Sequence, residues 1–197
     1  MTRQTTAPLR RLAISTSHRQ ARWLVKQIDD GDLDINPPYQ RGAVWTEDQR
    51  VALMYSLLTG TIVPSLIINN RHHNRWTDRA AYNPDNPTSP SYAVVDGKQR
   101  LLCVRAWFRS ELAIPASWLP AEEVLRTVDT ADGPYVYADG LTELGRRMTG
   151  ERILLAVGEA EVNSVRDEAA LYLLVNGGGT PQTDADMSRA AKTAEKE

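Results

Sequence analysis

Val94-Val95-Asp96-Gly97-Lys98-Gln99-Arg100 is the stretch on which the reading of the fold turns, because an apolar, β-prone run breaks there at Asp-Gly and becomes helix-prone. Residues 91–95 carry aromatic and β-branched side chains and read as a short strand, whereas residues 101–108 place apolar residues at helical spacing. Gly97 therefore opens a helix. The first amides of a helix have no internal partner, and the aligned peptide dipoles add about half a positive charge there. Gly97 lets the backbone approach closely, while Lys98 and Arg100 add two cations, so the turn suits a phosphate. The same residues would also serve as an ordinary strand-to-helix turn, with Asp96 as N-cap and the cations in solvent.

Working outward, residues 1–13 read as a flexible basic lead-in, and residues 19–28 as a helix with Trp23, Leu24 and Ile28 on one side, ended by Gly31. A short strand over 33–35 runs into Pro37-Pro38, which holds Tyr39-Gln40-Arg41 on a rigid extended segment. Thr46 and Gln49 match a capping box for a helix whose apolar stripe, Val51, Met54, Leu57 and Leu58, lasts until Gly60. Residues 66–69 read as a strand. The polar stretch 71–90 is a loop long enough to act as a flap near the site, with Trp76 as the candidate for stacking on a base. Further on, the patterns predict a helix over 122–128, a turn at Asp132-Gly133-Pro134, a strand over 152–157 and a helix over 165–175 stopped by Asn176-Gly177-Gly178-Gly179. Thr183 caps a last helix to about 194, and residues 195–197 are a tail. Trp23, Trp45, Trp107 and Trp118 are expected in the core, together with the Cys103 thiol.

With 197 residues and 42% hydrophobic content the chain can build one full core, so residues 14–194 are expected to form one domain. A single cysteine forms no internal disulfide, which fits a reducing compartment. No run approaches a membrane span or a signal peptide, so the expected location is the cytoplasm, away from membranes. The net charge of −2 hides an asymmetry: residues 1–110 hold 15 Lys/Arg against 9 Asp/Glu, and residues 111–197 hold 8 against 16. A basic amino-terminal part of this kind would track nucleic-acid phosphates, or simply form a solvated face.

Three separated segments stand out together: Pro38-Tyr39-Gln40-Arg41 with Val44-Trp45, then Asp96-Gly97-Lys98-Gln99-Arg100, then Val175-Asn176-Gly177-Gly178-Gly179-Thr180-Pro181. In order and spacing they resemble the amino-terminal domain of the GmrSD-type modification-dependent restriction proteins. That family shows P-x-Y-Q-R-x-x-V-W, S-L-L-x-G before I-P, D-G-Q-Q-R and L-N-x-G-G-T-P. Here Lys98 stands for the first Gln of D-G-Q-Q-R, and Val175 for the Leu before Asn176. The resemblance implies an α/β (α+β) domain of ParB/sulfiredoxin-like fold, a small mixed sheet surrounded by helices. It also implies nucleoside triphosphate binding, with hydrolysis as a further step, coupled to DNA and to a separate nuclease or defence protein.

On that basis Gly97, Lys98 and Gln99 are assigned to phosphate oxygens, and Arg100 to charge on a bridging or terminal phosphate. Asp96 would hold Mg²⁺ through water or orient an attacking water; its other reading is to cap the helix and pair with Arg41. Arg41 would complete the pocket or form a structural ion pair. Gln40 would position it or bond a base, beside Tyr39 of the same motif. Asn176 would reach the same pocket or be an αL helix cap. His72-His73-Asn74 lacks the separated base and ligands of a nuclease, so no protein-bound metal site is expected. The family core runs nearly to the last residue, so no downstream nuclease domain is expected either. Three functional readings remain: a nucleotide-driven switch, a DNA-binding or nuclease-like domain without turnover, and a catalytically idle protein-binding partner.

Overall fold

A computed structural model describes residues 11–40, 42 and 44–177. The basic residues 1–10, Arg41, the Gly178–Pro181 part of the third motif and the Thr183 helix lie outside it. The main sheet has five strands: β1 (Ile14–Gln20), β2 (Leu33–Asp34), β3 (Leu66–Asn70), β4 (Tyr92–Asp96) and β8 (Leu154–Ala160), in the order β1-β8-β3-β4-β2. β3 runs parallel to β8 and antiparallel to β4, so the sheet is mixed, as expected. A second sheet of three short strands, β5 (Ile114–Pro115), β6 (Val128–Thr130) and β7 (Gly133–Val136), is ordered β5-β7-β6. The fold is α+β.

Alternation along the strands sorts the core into two sides. Leu66 and Ile68 of β3 and Val94 of β4 join a large apolar cluster with Leu24 of α1 (Ala21–Asp29), Met54 of α2 (Glu47–Leu58) and Trp107 of α3 (Lys98–Phe108). Ile67 and Val95 point the other way, toward Leu171 and Tyr172 of α5 (Val165–Gly177). Helices thus cover both faces. The small sheet shares the first cluster through Ile114 and Val136. Among the described residues no helix is long and apolar enough to cross a membrane.

Several expectations are met closely. The Thr46–Gln49 capping box is formed in both directions, Gly31 and Gly60 take positive φ just past α1 and α2, and the turn at Gly133 joins β6 to β7. Others are corrected. β1 has no counterpart in the sequence reading, because an edge strand with nearly every side chain in solvent shows no burial alternation to read; α1 consequently starts at Ala21. The helix expected over 122–128 is a 3₁₀ turn at Ala121–Glu123 followed by β6, since Val124 bridges to Leu141 instead. α4 (Glu143–Arg152) was obscured by two glycines that packing requires. A Cβ on Gly145 would lie 2.3 Å from the Glu123 carbonyl oxygen, and one on Gly150 2.8 Å from the Arg22 guanidinium. Trp23 is not core: α1 buries Ala21, Leu24, Val25 and Ile28, leaving the Trp23 ring 40% exposed beneath the Arg19 guanidinium.

Cys103 is fully buried in α3, where its thiol donates to the Arg50 carbonyl, and burial pushes its pKa up to about 12. In the unfolded chain it would titrate near 9. The folded protein therefore binds the proton more tightly, and the thiol's contribution, intact below pH 9, is lost as pH rises toward 12. At pH 8 the native protein should leave a disulfide-exchange reagent unconsumed, and one equivalent should react on unfolding in guanidinium.

Candidate functional site

At the carboxyl end of β4 the chain turns at Gly97, whose φ of 94° lies in the left-handed region. That conformation and the space both call for glycine, because a Cβ there would stand 2.2 Å from Leu66 Cδ2. Gly97, not Asp96, is the N-cap of α3, and it offers no side-chain cap. The first-turn amides of α3 therefore have no partner within the helix. Asp96 instead ends β4 and accepts from Arg100 Nη2 at 2.8 Å. Arg100 Nη2 also donates to the Ser65 carbonyl at 3.2 Å, while its buried Nε has no partner among the described residues.

The turn residues 96–100 line a cavity of about 210 Å³ together with Gln40 and Trp45 from the segment before α2, and Tyr172 and Asn176 from α5. Three motifs far apart in sequence thus meet at one place, as far as the described residues reach. Tyr39 lies beside the cavity rather than on it.

Within this frame most polar side chains of the motifs are engaged by the protein itself. Gln40 Nε2 donates to the carbonyls of Val94 and Val95, at 3.1 and 2.7 Å, and pins the proline segment to β4. Gln99 bonds the backbone at residues 42 and 44: its Nε2 donates to the Gly42 carbonyl at 2.9 Å, and its Oε1 accepts from Val44 N at 3.1 Å. Lys98 Nζ donates to Asn36 Oδ1 at 2.8 Å; burial, opposed by the charge of Asp34, holds its pKa below the ordinary lysine value. Asn176 is helical, with Nδ2 donating to the Tyr172 carbonyl at 2.9 Å, so it is not an αL cap.

Behind the cavity lies a buried network that the sequence did not announce. Glu168 of α5, with no exposed surface, accepts Arg71 Nε and Asn69 Nδ2 on Oε1 (2.8 and 2.9 Å) and Arg71 Nη2 on Oε2 (2.8 Å). The Tyr39 hydroxyl lies 3.2 Å from both Glu168 Oε2 and the Val94 carbonyl, sharing its one proton between them. Burial first, and then the Glu168 charge, raise the Tyr39 pKa, so the phenol stays neutral. Burial disfavours the charge on Arg71, but the hydrogen bonds and charge of Glu168 outweigh it and raise its pKa. One signal was available in sequence: Glu168, Tyr172 and Asn176 are spaced by four and share a helix face.

The loop 71–91 is anchored by buried Arg71, Trp76 and Tyr82, while residues 84–88 stay exposed. Trp76 is 8% exposed, lies against the Arg71 guanidinium and donates from Nε1 to the Asp78 carbonyl, which removes it as a stacking platform. His73 Nε2 lies 3.2 Å from the Val162 carbonyl, and its Nδ1 accepts from Arg75 N. No group of three or more His, Cys, Asp or Glu fit to hold a metal occurs among the described residues.

Breaking the buried pair should be far costlier than breaking an exposed one. Glu168→Gln removes the buried counterion of Arg71 and leaves it only the longer contact to Asp34, an effect of about 3–5 kcal/mol. Asp30→Asn, at the exposed Lys26–Asp30 pair, should cost less than about 1 kcal/mol. Urea unfolding of both variants measures the contrast.

No curated protein and no solved structure gives a significant match to the chain. A family model does: residues 22–112, from α1 to just beyond α3, match the model described as GmrSD restriction endonuclease, N-terminal domain. The matched stretch contains Tyr39, Gln40, Trp45 and the whole turn 96–100, whereas β8 and α5 lie beyond it. Over this segment, a little under half of the 197 residues, the chain is similar to the GmrSD restriction endonuclease N-terminal domain.

Proposed function

We propose that the cavity at the amino end of α3 binds the phosphate end of a nucleoside triphosphate, and that this binding gates contact with DNA in a restriction or counter-restriction setting. The observation that carries the reading is the uncapped first turn of α3 at Gly97, facing a small polar cavity with the unpartnered Nε of Arg100 beside it. The cavity's volume, about 210 Å³, falls below the range of about 300–1,000 Å³ typical of whole-ligand pockets. It suits a phosphate group, with the nucleoside outside it against Trp45 and Tyr172. The backbone amides at 98–100 and the Arg100 guanidinium would make the anion contacts, since Gln40, Gln99 and Lys98 are committed to the frame.

Turnover makes a further demand. Asp96 and Arg100 are paired, so hydrolysis needs that pair to separate before the carboxylate orients water and the guanidinium meets developing charge. Asp96 is the one carboxylate lining the cavity among the described residues. A Mg²⁺ arriving with the nucleotide would therefore be held by phosphate oxygens and water with help from Asp96. The mixed sheet with helices on both faces agrees with the ParB/sulfiredoxin-like fold that the resemblance implies.

Saturating nucleotide should stabilise the fold by about 2.7 kcal/mol at one hundred times Kd, a rise of several degrees in Tm. Arg100→Ala should weaken that binding about 10- to 100-fold, the worth of a charge-assisted hydrogen bond of about 1.5–3 kcal/mol. Phosphate release followed in parallel reads turnover. No shift with any common triphosphate, in either protein, would sink the switch and leave the DNA-binding and idle-partner readings.

A second reading, DNA binding without nucleotide, is favoured by a different observation. Arg22 of α1 and Arg146 and Arg147 of α4 surround a groove of about 490 Å³ with Glu143 as its one carboxylate among the described residues. Arg22 is held there by the Phe108 ring and the Arg146 carbonyl. On this reading DNA affinity falls steeply with salt. Arg146→Glu with Arg147→Glu should abolish the binding while leaving any nucleotide-induced rise in Tm unchanged.

A further inference from the structure

The outer edge of β1 stands apart from everything used above. β1 pairs with β8 over its full seven residues, in unbroken register from Ile14–Ala160 to Gln20–Leu154, and its other edge has no partner among the described residues. Six of its seven residues are exposed. Such an edge presents a row of backbone donors and acceptors to any second strand, and proteins ordinarily guard it with proline, charge, a bulge or brevity. β2, at the opposite edge, is guarded in that way: it is two residues long and runs into Pro37-Pro38. β1 has none of these devices. Its one charged residue, Arg19, is tied to Glu159 and lies over the Trp23 ring.

We infer that β1 is the pairing edge of a homodimer, in which two copies join β1 to β1 antiparallel about a two-fold axis through Ser17, making one continuous sheet. The sequence of the strand is what selects a second copy. About Ser17, Ile14 faces Gln20, Ser15 faces Arg19 and Thr16 faces His18 of the other copy, so all seven positions pair and no like charges meet. Moving the axis to Arg19 would set guanidinium against guanidinium and shorten the ladder. The apolar residues at this edge agree with the same register. Ile14 and Leu154 are 41% and 49% exposed, and in the α5-side row each Ile14 would sit across Gln20 from the other copy's Leu154. This inference is independent of the nucleotide reading.

Light scattering and sedimentation of the whole chain should give twice 22.0 kDa at micromolar concentration. Ser17 meets itself at the axis and is exposed, so Ser17→Glu and Ser17→Lys should each fold and each be monomeric, and mixing them in equal amounts should restore the dimer. Ser17→Cys should form an intermolecular disulfide on mild oxidation and Ser15→Cys should not, with buried Cys103 silent in both. A monomeric wild-type chain, whether the edge is open or covered by residues 1–10, overturns the inference. So do single-charge variants that remain dimeric, a mixture that stays monomeric although both variants melt like wild type, or cross-linking of Ser15→Cys equal to that of Ser17→Cys.

Discussion

Arg71 and Glu168 form a bidentate ion pair with no access to solvent, and the arrangement of the protein around its cavity depends on it. Two charges removed from water repay that cost only when every remaining donor and acceptor is met. Here they are. Glu168 takes four donors on two oxygens, and Arg71 spends its third nitrogen on Asp34 and the Ala81 carbonyl. The participants come from β2, the proline segment, β3, the loop after β3 and α5. Three stretches of chain far apart in sequence, 34–39, 69–81 and Glu168 of α5, are thereby held in one geometry.

The cavity inherits its shape from that pair. α5 reaches it through Tyr172 and Asn176, one and two turns beyond Glu168, and the Tyr172 ring packs on Tyr39 with centroids 5.7 Å apart. Tyr39 in turn is tied to Glu168, and Gln40 to β4. The polar residues of the motifs are therefore mostly framing residues. Gln40, Lys98 and Gln99 satisfy backbone and side-chain partners within the protein, and that leaves the helix amides and Arg100 to address a ligand. A motif read as a list of ligand contacts would credit the wrong atoms.

How much could be read in advance varied with how local the cause was. The capping box at Thr46, the glycine stops at Gly31 and Gly60 and the strand-turn-helix at Gly97 depend on a few neighbouring residues, and all were legible. α4 was hidden because Gly145 and Gly150 answer to a distant carbonyl and a distant arginine, which local propensity does not record. β1 was hidden for the opposite reason, since an edge strand in solvent has no buried side to impose a pattern. Trp76 was misjudged because a polar loop suggests exposure, while the buried Arg71 guanidinium drew the indole inward.

Short-range backbone preferences and spacing were enough to read the α+β class, the turn at Gly97, the resemblance carried by residues 22–112 and the motifs that converge. The tertiary structure alone decided which atoms of those motifs remain available. That depended on where Glu168 and Arg71, 97 residues apart, could bury their charges together. Beyond the four-residue spacing of Glu168, Tyr172 and Asn176, a long-range electrostatic constraint of this kind leaves no trace that pairs Glu168 with Arg71, yet it sets the position of α5 and so the shape of the site.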